Sequence, residues 1–267
     1  MMQKRNFRYI YGPVFSWRLG ISLGIDLLSH KQKICNFNCI YCQLGETLRF
    51  TEKPRVYVKA CEIIEELERL SGIKIDYITF SGRGEPTLAK NLGEVIEGVK
   101  KLKIAPVAIL TNASLIEQVQ ISENLSLADF VIAKLDAYSQ ESLEKINQPA
   151  KTIRFEKILQ GIKRFRKEFK GKFALQMMFV EENKEDTRRL AKLAGQICPD
   201  EIQINTPLRP CMVKPLSKEE IEKIKKYFSG LNFISVYDVQ PKKVIPLSKK
   251  GTLRRRGKSE GVRYARM

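Results

Sequence analysis

The feature that most constrains this chain is a run of three cysteines within eight residues: Cys35, Cys39 and Cys42, spaced C-x3-C-x2-C. Cysteine thiolates hold iron–sulfur clusters, usually four of them for a [4Fe–4S] cluster, whereas this run supplies three. Three protein ligands leave one iron with an open position, just as catalytic zinc sites keep one position open. The spacing therefore favours a cluster whose remaining iron binds a substrate or cofactor directly.

Two other uses of the cysteines need weighing. His30, the only histidine, lies five residues before Cys35, so a Cys3His zinc site is an alternative. Structural zinc sites usually combine two cysteine pairs, or a cysteine pair with a histidine pair, and we therefore expect no structural zinc. Disulfides are disfavoured because residues 1–8 are polar and basic and lack the apolar segment of a signal peptide. We expect a cytoplasmic protein with reduced thiols, whose exposed iron requires anaerobic conditions.

Length and composition indicate one globular α/β unit with an appendage. The chain has 267 residues, of which 43% are hydrophobic, and a formal net charge of +18. Its longest apolar runs, such as 107–110, are far too short to span a bilayer, so no membrane partner is expected. The basic excess points to phosphate-bearing partners and is uninformative about the fold.

Alternating strand and helix patterns predict a parallel sheet with right-handed crossovers. A complete (β/α)8 barrel usually needs about 250 residues, and the pattern here ends near residue 228, so a partial TIM-like barrel fits better. We assign residues 1–240 to the barrel, with 1–19 as an irregular lead-in, and 241–267 to a flexible basic tail. The predicted strands are 20–28, 76–80, 105–110, 129–135, 173–180, 201–206 and 233–239.

Polar residues follow the predicted strands, at the edge where α/β barrels place their sites. Gly82, Gly84 and Glu85 come after the second strand. The glycines let the backbone approach a ligand closely, and the carboxylate suits an ammonium group. The alternative is an ordinary strand–helix turn with a solvated glutamate.

The next two strands end in similar fashion. Asn112 follows the third strand, where a helix N-cap is an equally good interpretation. Lys134 and Asp136 lie two residues apart on the fourth strand and so point the same way, into the barrel at its rim. The two side chains can pair with each other or bind a carboxylate and a hydroxyl.

The cysteine run, with the aromatic Tyr41 before its last cysteine, resembles the radical S-adenosylmethionine (SAM) superfamily. The resemblance implies a partial (β/α)6 barrel with a [4Fe–4S] cluster on Cys35, Cys39 and Cys42. It also implies that SAM chelates the open iron through its amino and carboxylate groups and is cleaved to methionine and a 5′-deoxyadenosyl radical. A reductant such as flavodoxin or ferredoxin would supply the electron. The implied cofactor-binding residues are Tyr41, Gly82, Gly84, Glu85, Asn112, Lys134 and Asp136.

Several short stretches narrow the resemblance. They resemble small stand-alone radical SAM proteins grouped with the wyosine-type tRNA-modifying synthases, over residues 11–240. In wyosine synthases the lead-in carries a second cysteine triad that holds an auxiliary cluster. This chain lacks that triad, which argues against the wyosine reaction itself. The stretches are 11–14, 18–20, 41–45, 84–88, 134–137 and 205–207.

Cys211 is a candidate catalytic residue. It lies in the loop just past the sixth predicted strand, where its thiol would face the cavity and donate hydrogen or carry a covalent intermediate. The alternative is a packing residue, which is what most single cysteines are. The single histidine makes a Ser-His-Asp or Cys-His hydrolase a poor fit.

The tail, 241–267, holds ten Lys and Arg against Glu260, so its charge of +9 is half of the chain's +18. Glycines interrupt it and apolar periodicity is absent, so we expect no packed helix. Arg254, Arg255 and Arg256 are candidate nucleic-acid contacts, because the guanidinium fork matches phosphate oxygens. The alternative is a solvated tail.

These observations lead to one functional hypothesis with two alternatives. We expect a radical SAM enzyme that modifies tRNA. One alternative is a radical enzyme acting on a protein, a peptide or a small molecule. The other is a non-catalytic metal-binding protein that binds nucleic acid.

Overall fold

The computed structural model describes residues 7–256, and their eight strands form one sheet in sequence order. Strands β2 to β8 are parallel, and β1 pairs antiparallel with β2. The sheet curls into a half barrel. The strands are β1 (Ile10–Ser16), β2 (Gly20–Ile25), β3 (Tyr77–Phe80), β4 (Val107–Thr111), β5 (Phe130–Lys134), β6 (Lys172–Met178), β7 (Glu201–Asn205) and β8 (Phe233–Ser235).

Helices connect the parallel strands and cover the outer face of the sheet. In α5, for example, Ile158, Ile162 and Phe165 recur at helical spacing and are buried. Each of β2 to β7 is followed by at least one helix, which confirms the predicted partial (β/α)6 barrel. The helices are α1 (Ala60–Glu68), α2 (Leu92–Lys101), α3 (Val119–Ser126), α4 (Gln140–Ile146), α5 (Phe155–Glu168), α6 (Thr187–Ile197), α7 (Lys218–Lys225) and α8 (Lys249–Arg256). Within residues 7–256, no helix has the length and apolar composition needed to cross a membrane.

The two faces of the sheet bury different residues, as strand alternation requires. Outward side chains such as Phe80 and Val131 join the large core beneath the helices. Inward side chains such as Phe130 and Ile132 form a smaller apolar cluster inside the half barrel. Towards the carboxyl ends of the strands the interior becomes polar, and Lys134, Gln176 and Gln203 lie side by side in register.

The prediction of an irregular lead-in at 1–19 is wrong for residues 10–16, which form β1. The lead-in contains Gly12 and Pro13, a dipeptide typical of turns, but both residues lie where the register of the β1–β2 pair shifts. Proline is tolerated at bulges and on edge strands, where no ladder hydrogen bond needs its missing N–H. The turn-like dipeptide is therefore part of a strand.

The prediction of a flexible tail without a packed helix is wrong for residues 249–256, which form α8. This helix lies against β1, and the Thr252 hydroxyl accepts a hydrogen bond from Gly12 N–H at 3.1 Å. Its second buried side chain, Arg255, forms an ion pair with Asp26. Apolar periodicity did not reveal the helix because polar contacts hold it. Tail positions 257–267 lie outside the described residues.

Candidate active site

A long loop between β2 and α1 carries the three cysteines across the carboxyl ends of the strands. Short bridges fix it to other parts of the chain, as where Ile34 pairs with Gly84 and Phe37 with Pro149, and another bridge, between Cys35 and Phe50, closes the loop on itself. The loop is therefore held by backbone hydrogen bonds rather than by helix or sheet of its own.

The thiols of this loop are shielded from solvent to different degrees. Cys35 is buried, while Cys39 and Cys42 are half-buried. Burial raises the pKa of the Cys35 thiol to about 12, and the nearby Cys39 and Glu85 act in the same direction. Burial also raises the pKa of Cys39, against the opposing effects of Lys134 and a hydrogen bond from Asn147. Without metal these two cysteines are therefore thiols, and metal binding must displace their protons.

The surroundings of the thiols fit an iron–sulfur cluster. Phe37 N–H and the Asn147 side-chain amide each donate to a sulfur, Cys35 Sγ and Cys39 Sγ respectively, at 3.4 Å. Such donors stabilise thiolates and help to set a cluster's potential. Among residues 7–256, no three His, Cys, Asp or Glu side chains converge on a point where one ion would sit. A cluster does not need convergence, because each thiolate binds a different iron. The donors and spacing of these cysteines therefore suit the cluster.

The loop after β3 lies against the cysteine loop through its glycines. Ile34 N–H donates to Arg83 O at 2.9 Å, and Glu85 N–H donates to Ile34 O at 3.0 Å. Gly84 has φ +146°, and a Cβ there would lie 1.6 Å from Ile34 O. Only glycine allows this backbone approach. The sequence predicted a close approach of Gly84 to a ligand, which stays a prediction; the approach that the structure shows is to the backbone of the residue just before Cys35.

The carboxylate of Glu85 is buried and accepts four hydrogen bonds from the protein. Thr111 Oγ1 donates at 2.6 Å, Thr87 Oγ1 at 2.8 Å, Asn112 N–H at 2.7 Å and Thr87 N–H at 3.2 Å. Burial raises the pKa of Glu85, and these donors oppose the rise. The alternative interpretation of a solvated glutamate is wrong, because Glu85 joins the end of β3 to the end of β4.

Asn112 lies at the end of β4 and connects to the cysteine loop. Its side-chain amide donates to Asn36 Oδ1 at 2.8 Å and lies 4.0 Å from Cys35 Sγ. Its Oδ1 accepts from the Ser114 hydroxyl at 2.6 Å, and Asn36 in turn donates to that hydroxyl at 2.7 Å. This closed polar network orients Asn36 and Cys35. The predicted N-cap role is absent, since α3 begins at Val119.

Tyr41, Lys134 and Asp136 meet at the rim, as the strand spacing predicted for the last two. The Tyr41 hydroxyl donates to Asp136 Oδ2 in a very short hydrogen bond. Lys134 Nζ lies 3.5 Å from Asp136 Oδ2 and 4.6 Å from the centre of the Tyr41 ring. Burial and the Asp136 charge hold the pKa of Tyr41 well above its usual value. Together, these three residues place the ammonium group of Lys134 beside the thiol of Cys39.

Asn147, at the C-terminus of α4, is a site residue that the sequence analysis missed. Besides Cys39 Sγ, its amide donates to Tyr41 Oη and to Asp136 Oδ2, both at 2.9 Å. Its backbone carbonyl accepts from Asn38 N–H at 3.0 Å. An asparagine directly after a helix is common in any protein, so the sequence carried no signal for this role.

Cys211 lies in the loop after β7, close to the cysteine loop. Its thiol donates to Val213 O at 3.1 Å. Burial raises its pKa, and the neighbouring Cys42 adds to the rise. The thiol is half-buried at the rim rather than packed in the core. Its catalytic role stays a prediction.

The three arginines predicted to bind nucleic acid lie in three different environments. Arg254 is exposed, Arg255 is buried, and Arg256 is half-buried beside a cavity. The prediction that Arg255 contacts phosphate is wrong, because Asp26 occupies its guanidinium. Consecutive residues of a helix point about 100° apart, and three arginines in a row therefore cannot share one face.

Comparison with known proteins places this geometry in a family. Residues 30–194 match the model of the Radical SAM superfamily. The chain belongs to the radical SAM superfamily and is an enzyme of that class. Membership implies a [4Fe–4S] cluster and SAM.

Relatives with similar sequences include two UPF0026 proteins and one protein named as a GTPase. The UPF0026 protein slr1464 of Synechocystis is 44% identical over 214 residues, covering 80% of this chain and 79% of that protein. The UPF0026 protein MJ1312 of Methanocaldococcus jannaschii is 35% identical over 231 residues, covering 84% and 71%. A Brachyspira hyodysenteriae protein named GTPase Obg is 41% identical over 235 residues, covering 85% of this chain and 34% of that protein. This chain thus spans about a third of the Brachyspira protein.

Solved structures share the fold at low sequence identity. Streptococcus suis SuiB bound to S-adenosylmethionine has a TM-score of 0.60 and 17% identity, over 76% of this chain and 48% of SuiB. The protein anSMEcpe with bound AdoMet has a TM-score of 0.59 and 20% identity, over 81% of this chain and 64% of its own. The chain spans about half of SuiB and under two thirds of anSMEcpe. At these identities the likeness concerns the fold.

Proposed function

We propose that Cys35, Cys39 and Cys42 hold a [4Fe–4S] cluster and that the surrounding strand ends bind SAM. The observation that carries the proposal is the attachment of the cysteine loop to the ends of β3, β4 and β5. A cluster held by these cysteines would supply the one-electron reduction by which SAM is cleaved to methionine and a 5′-deoxyadenosyl group able to abstract hydrogen from a substrate.

The residues around the loop have separate tasks in this proposal. The backbone of Gly82 and Gly84 would bind the SAM amino group, and Lys134 would supply a cation for the SAM carboxylate. Glu85 acts mainly by holding the ends of β3 and β4 together, because its oxygens already accept four hydrogen bonds. Asn147 stabilises the Cys39 thiolate through its N–H donor. A flavodoxin or ferredoxin would deliver the electron.

The experiment is reductive SAM cleavage. Protein reconstituted anaerobically with iron and sulfide, reduced and given SAM, should release 5′-deoxyadenosine. Cys39→Ala should release none, whereas Cys61→Ala, which changes an exposed thiol on α1, should match the wild type. No release from wild-type protein with an intact cluster would contradict the proposal.

For the substrate we retain tRNA as the hypothesis, supported by the net charge of +18 and by the exposed Arg254. Arg255 is buried and therefore cannot bind tRNA, so the arginine run supports this hypothesis less than the sequence suggested. SuiB has been solved bound to its precursor peptide SuiA, which makes a peptide the alternative. Mass spectrometry of tRNA nucleosides from a strain lacking this gene tests the hypothesis. An unchanged set of nucleosides would contradict it.

A further inference from the structure

A cavity of about 150 Å³ opens inside the half barrel, beside the proposed SAM site. Gln43, which follows Cys42, and Gly82 of the loop after β3 line the side nearest that site. Ser22, Thr79 and Leu110 line the sheet side. A substrate held here would therefore lie next to the proposed cofactor.

Four arginines line this cavity: Arg18, Arg209, Arg255 and Arg256. Arg255 is neutralised by its ion pair with Asp26. Within residues 7–256, none of the other three has a carboxylate partner within 4.0 Å. The cavity thus carries three guanidinium charges that the described protein does not neutralise.

The hydrogen bonds of these arginines leave donors available. Arg209 Nη1 donates to Gln43 Oε1 at 2.8 Å and to the Arg256 carbonyl at 3.4 Å, both uncharged acceptors. Arg18 Nε is buried and has no hydrogen-bond partner in the described part of the chain. A buried, unsatisfied donor on a charged group costs free energy that an anion would recover.

The acidic residues near the cavity already form ion pairs and hydrogen bonds with other residues. Glu201 interacts with Arg18 at longer range, but its carboxylate is bound by Lys172 at 2.7 Å and by Gln203 at 2.8 Å. Burial and repulsion from Arg256 together lower the pKa of Arg18 to about 10. The cationic character of the cavity is therefore an energetic cost to the folded protein, of the kind retained at functional sites.

We propose that this cavity binds a phosphate group of the enzyme's substrate, with Arg18, Arg209 and Arg256 as its anchors. Guanidinium forks match phosphate oxygens, and a phosphate ester offers up to two negative charges and three acceptor oxygens to three cations. The bound phosphate would fix the substrate while another part of it faces the SAM site. The inference rests on the proposed function, because it names the substrate class of that site.

The experiment measures binding without turnover. Reconstituted protein with SAM, kept anaerobic and without reductant, is titrated with inorganic pyrophosphate by calorimetry and by thermal melting. Pyrophosphate should raise the melting temperature of the wild type. Arg18→Gln and Arg209→Gln should each weaken binding about tenfold or more, because each removes a charge-assisted contact. Arg188→Gln, which changes an exposed arginine on α6, is the matched control and should bind like the wild type.

Folding of the variants is checked by the same melts. Without ligand, Arg18→Gln should melt near or above the wild-type temperature, because it removes a half-buried guanidinium whose Nε has no hydrogen-bond partner in residues 7–256. The proposal fails if the wild type does not respond to pyrophosphate, or if Arg188→Gln loses as much affinity as Arg18→Gln. It also fails if malonate, a dicarboxylate, binds as tightly as pyrophosphate.

Two further titrations identify the source of the phosphate. A mononucleotide that binds with the same dependence on Arg18 indicates a free phosphorylated metabolite. Binding of tRNA but not of mononucleotide, again weakened by Arg18→Gln, indicates a nucleotide presented by RNA. Binding of tRNA that ignores Arg18 overturns the proposal. Because no step requires SAM cleavage, a failure here is separable from a failure of the proposed function.

Discussion

Arg255 and Asp26 form a buried ion pair between residues that are 229 positions apart in the sequence. Arg255 Nε donates to Asp26 Oδ2 at 2.9 Å, and the two side chains are 3% and 1% exposed. The other oxygen, Asp26 Oδ1, accepts from Arg83 N–H at 3.2 Å. The C-terminal helix is thereby connected to the loop that lies beside the proposed SAM site.

Removing this arginine should destabilise the fold. Arg255→Met leaves the Asp26 carboxylate buried without its cation, which we expect to lower the free energy of unfolding by about 3–5 kcal/mol. Burial already raises the pKa of Asp26, so loss of Arg255 should raise it further. Denaturant unfolding measures the change. The control Arg254→Met, at an exposed position, should stay within about 0.5 kcal/mol. Equal losses in both variants would show that the pair is unimportant.

The cysteine ligands are tested by iron content. Single Ala variants at Cys35, Cys39 and Cys42 should each lose most of the iron and sulfide that the reconstituted wild type holds, because a cluster with two protein ligands is poorly held. Cys211→Ala should keep the wild-type content, since the proposal leaves one iron for SAM. If iron and visible absorbance fall in Cys211→Ala as far as in Cys39→Ala, then Cys211 is a fourth ligand and the open iron does not exist.

Gly84→Ala tests the approach of the two loops. The added Cβ would lie 1.6 Å from Ile34 O, at a φ of +146° that side chains rarely adopt. We expect a lower melting temperature and poor incorporation of iron, because the backbone next to Cys35 must move. Gly195→Ala is the matched control. Gly195 is exposed in α6 with nothing within 4 Å of the added atom, and the change should stabilise by up to about 1 kcal/mol. Normal iron content in Gly84→Ala would contradict the role of Gly84 in positioning the backbone next to Cys35.

Glu85→Gln separates the structural role of this residue from a role in binding SAM. The new amide group would face hydroxyl and N–H donors that now point at a carboxylate. We expect a loss of about 1–3 kcal/mol in the free energy of unfolding, from donors left without an acceptor. Denaturant unfolding and SAM titration of the reconstituted protein are compared. Unchanged stability with weaker SAM binding would make Glu85 a direct ligand of SAM instead.

Asn147→Ala concerns the cluster's reduction potential. Its N–H donor to Cys39 Sγ favours the more negatively charged, reduced cluster, and its loss should therefore lower the midpoint potential. Potentiometric titration followed by electron paramagnetic resonance measures the potential. Asn124→Ala on α3, distant from the cysteines, should leave it unchanged. A potential that does not move, at full iron content, would rule out tuning by Asn147.

How much of this site the sequence revealed depended on the sequence distance between interacting residues. Cys35, Cys39 and Cys42 share one loop, and Lys134 and Asp136 lie two residues apart at the end of one strand, so spacing alone brought each set together. Asn147 lies 108 positions from Cys39, and no local pattern marks that contact. The prediction of secondary structure likewise depended on local patterns. Strands and helices with apolar periodicity were predicted, whereas α8 was not, because a buried ion pair and a threonine hold it.

The place of Arg255 in the chain has a consequence for biosynthesis. The ribosome completes β2, the cysteine loop and all the remaining strands before it reaches α8. During that interval the carboxylate of Asp26 has no guanidinium partner, and protonation is the inexpensive way to bury it. The ion pair can form only after Arg255 has been added to the chain, so the backbone beside Gly82 acquires its final electrostatic environment last.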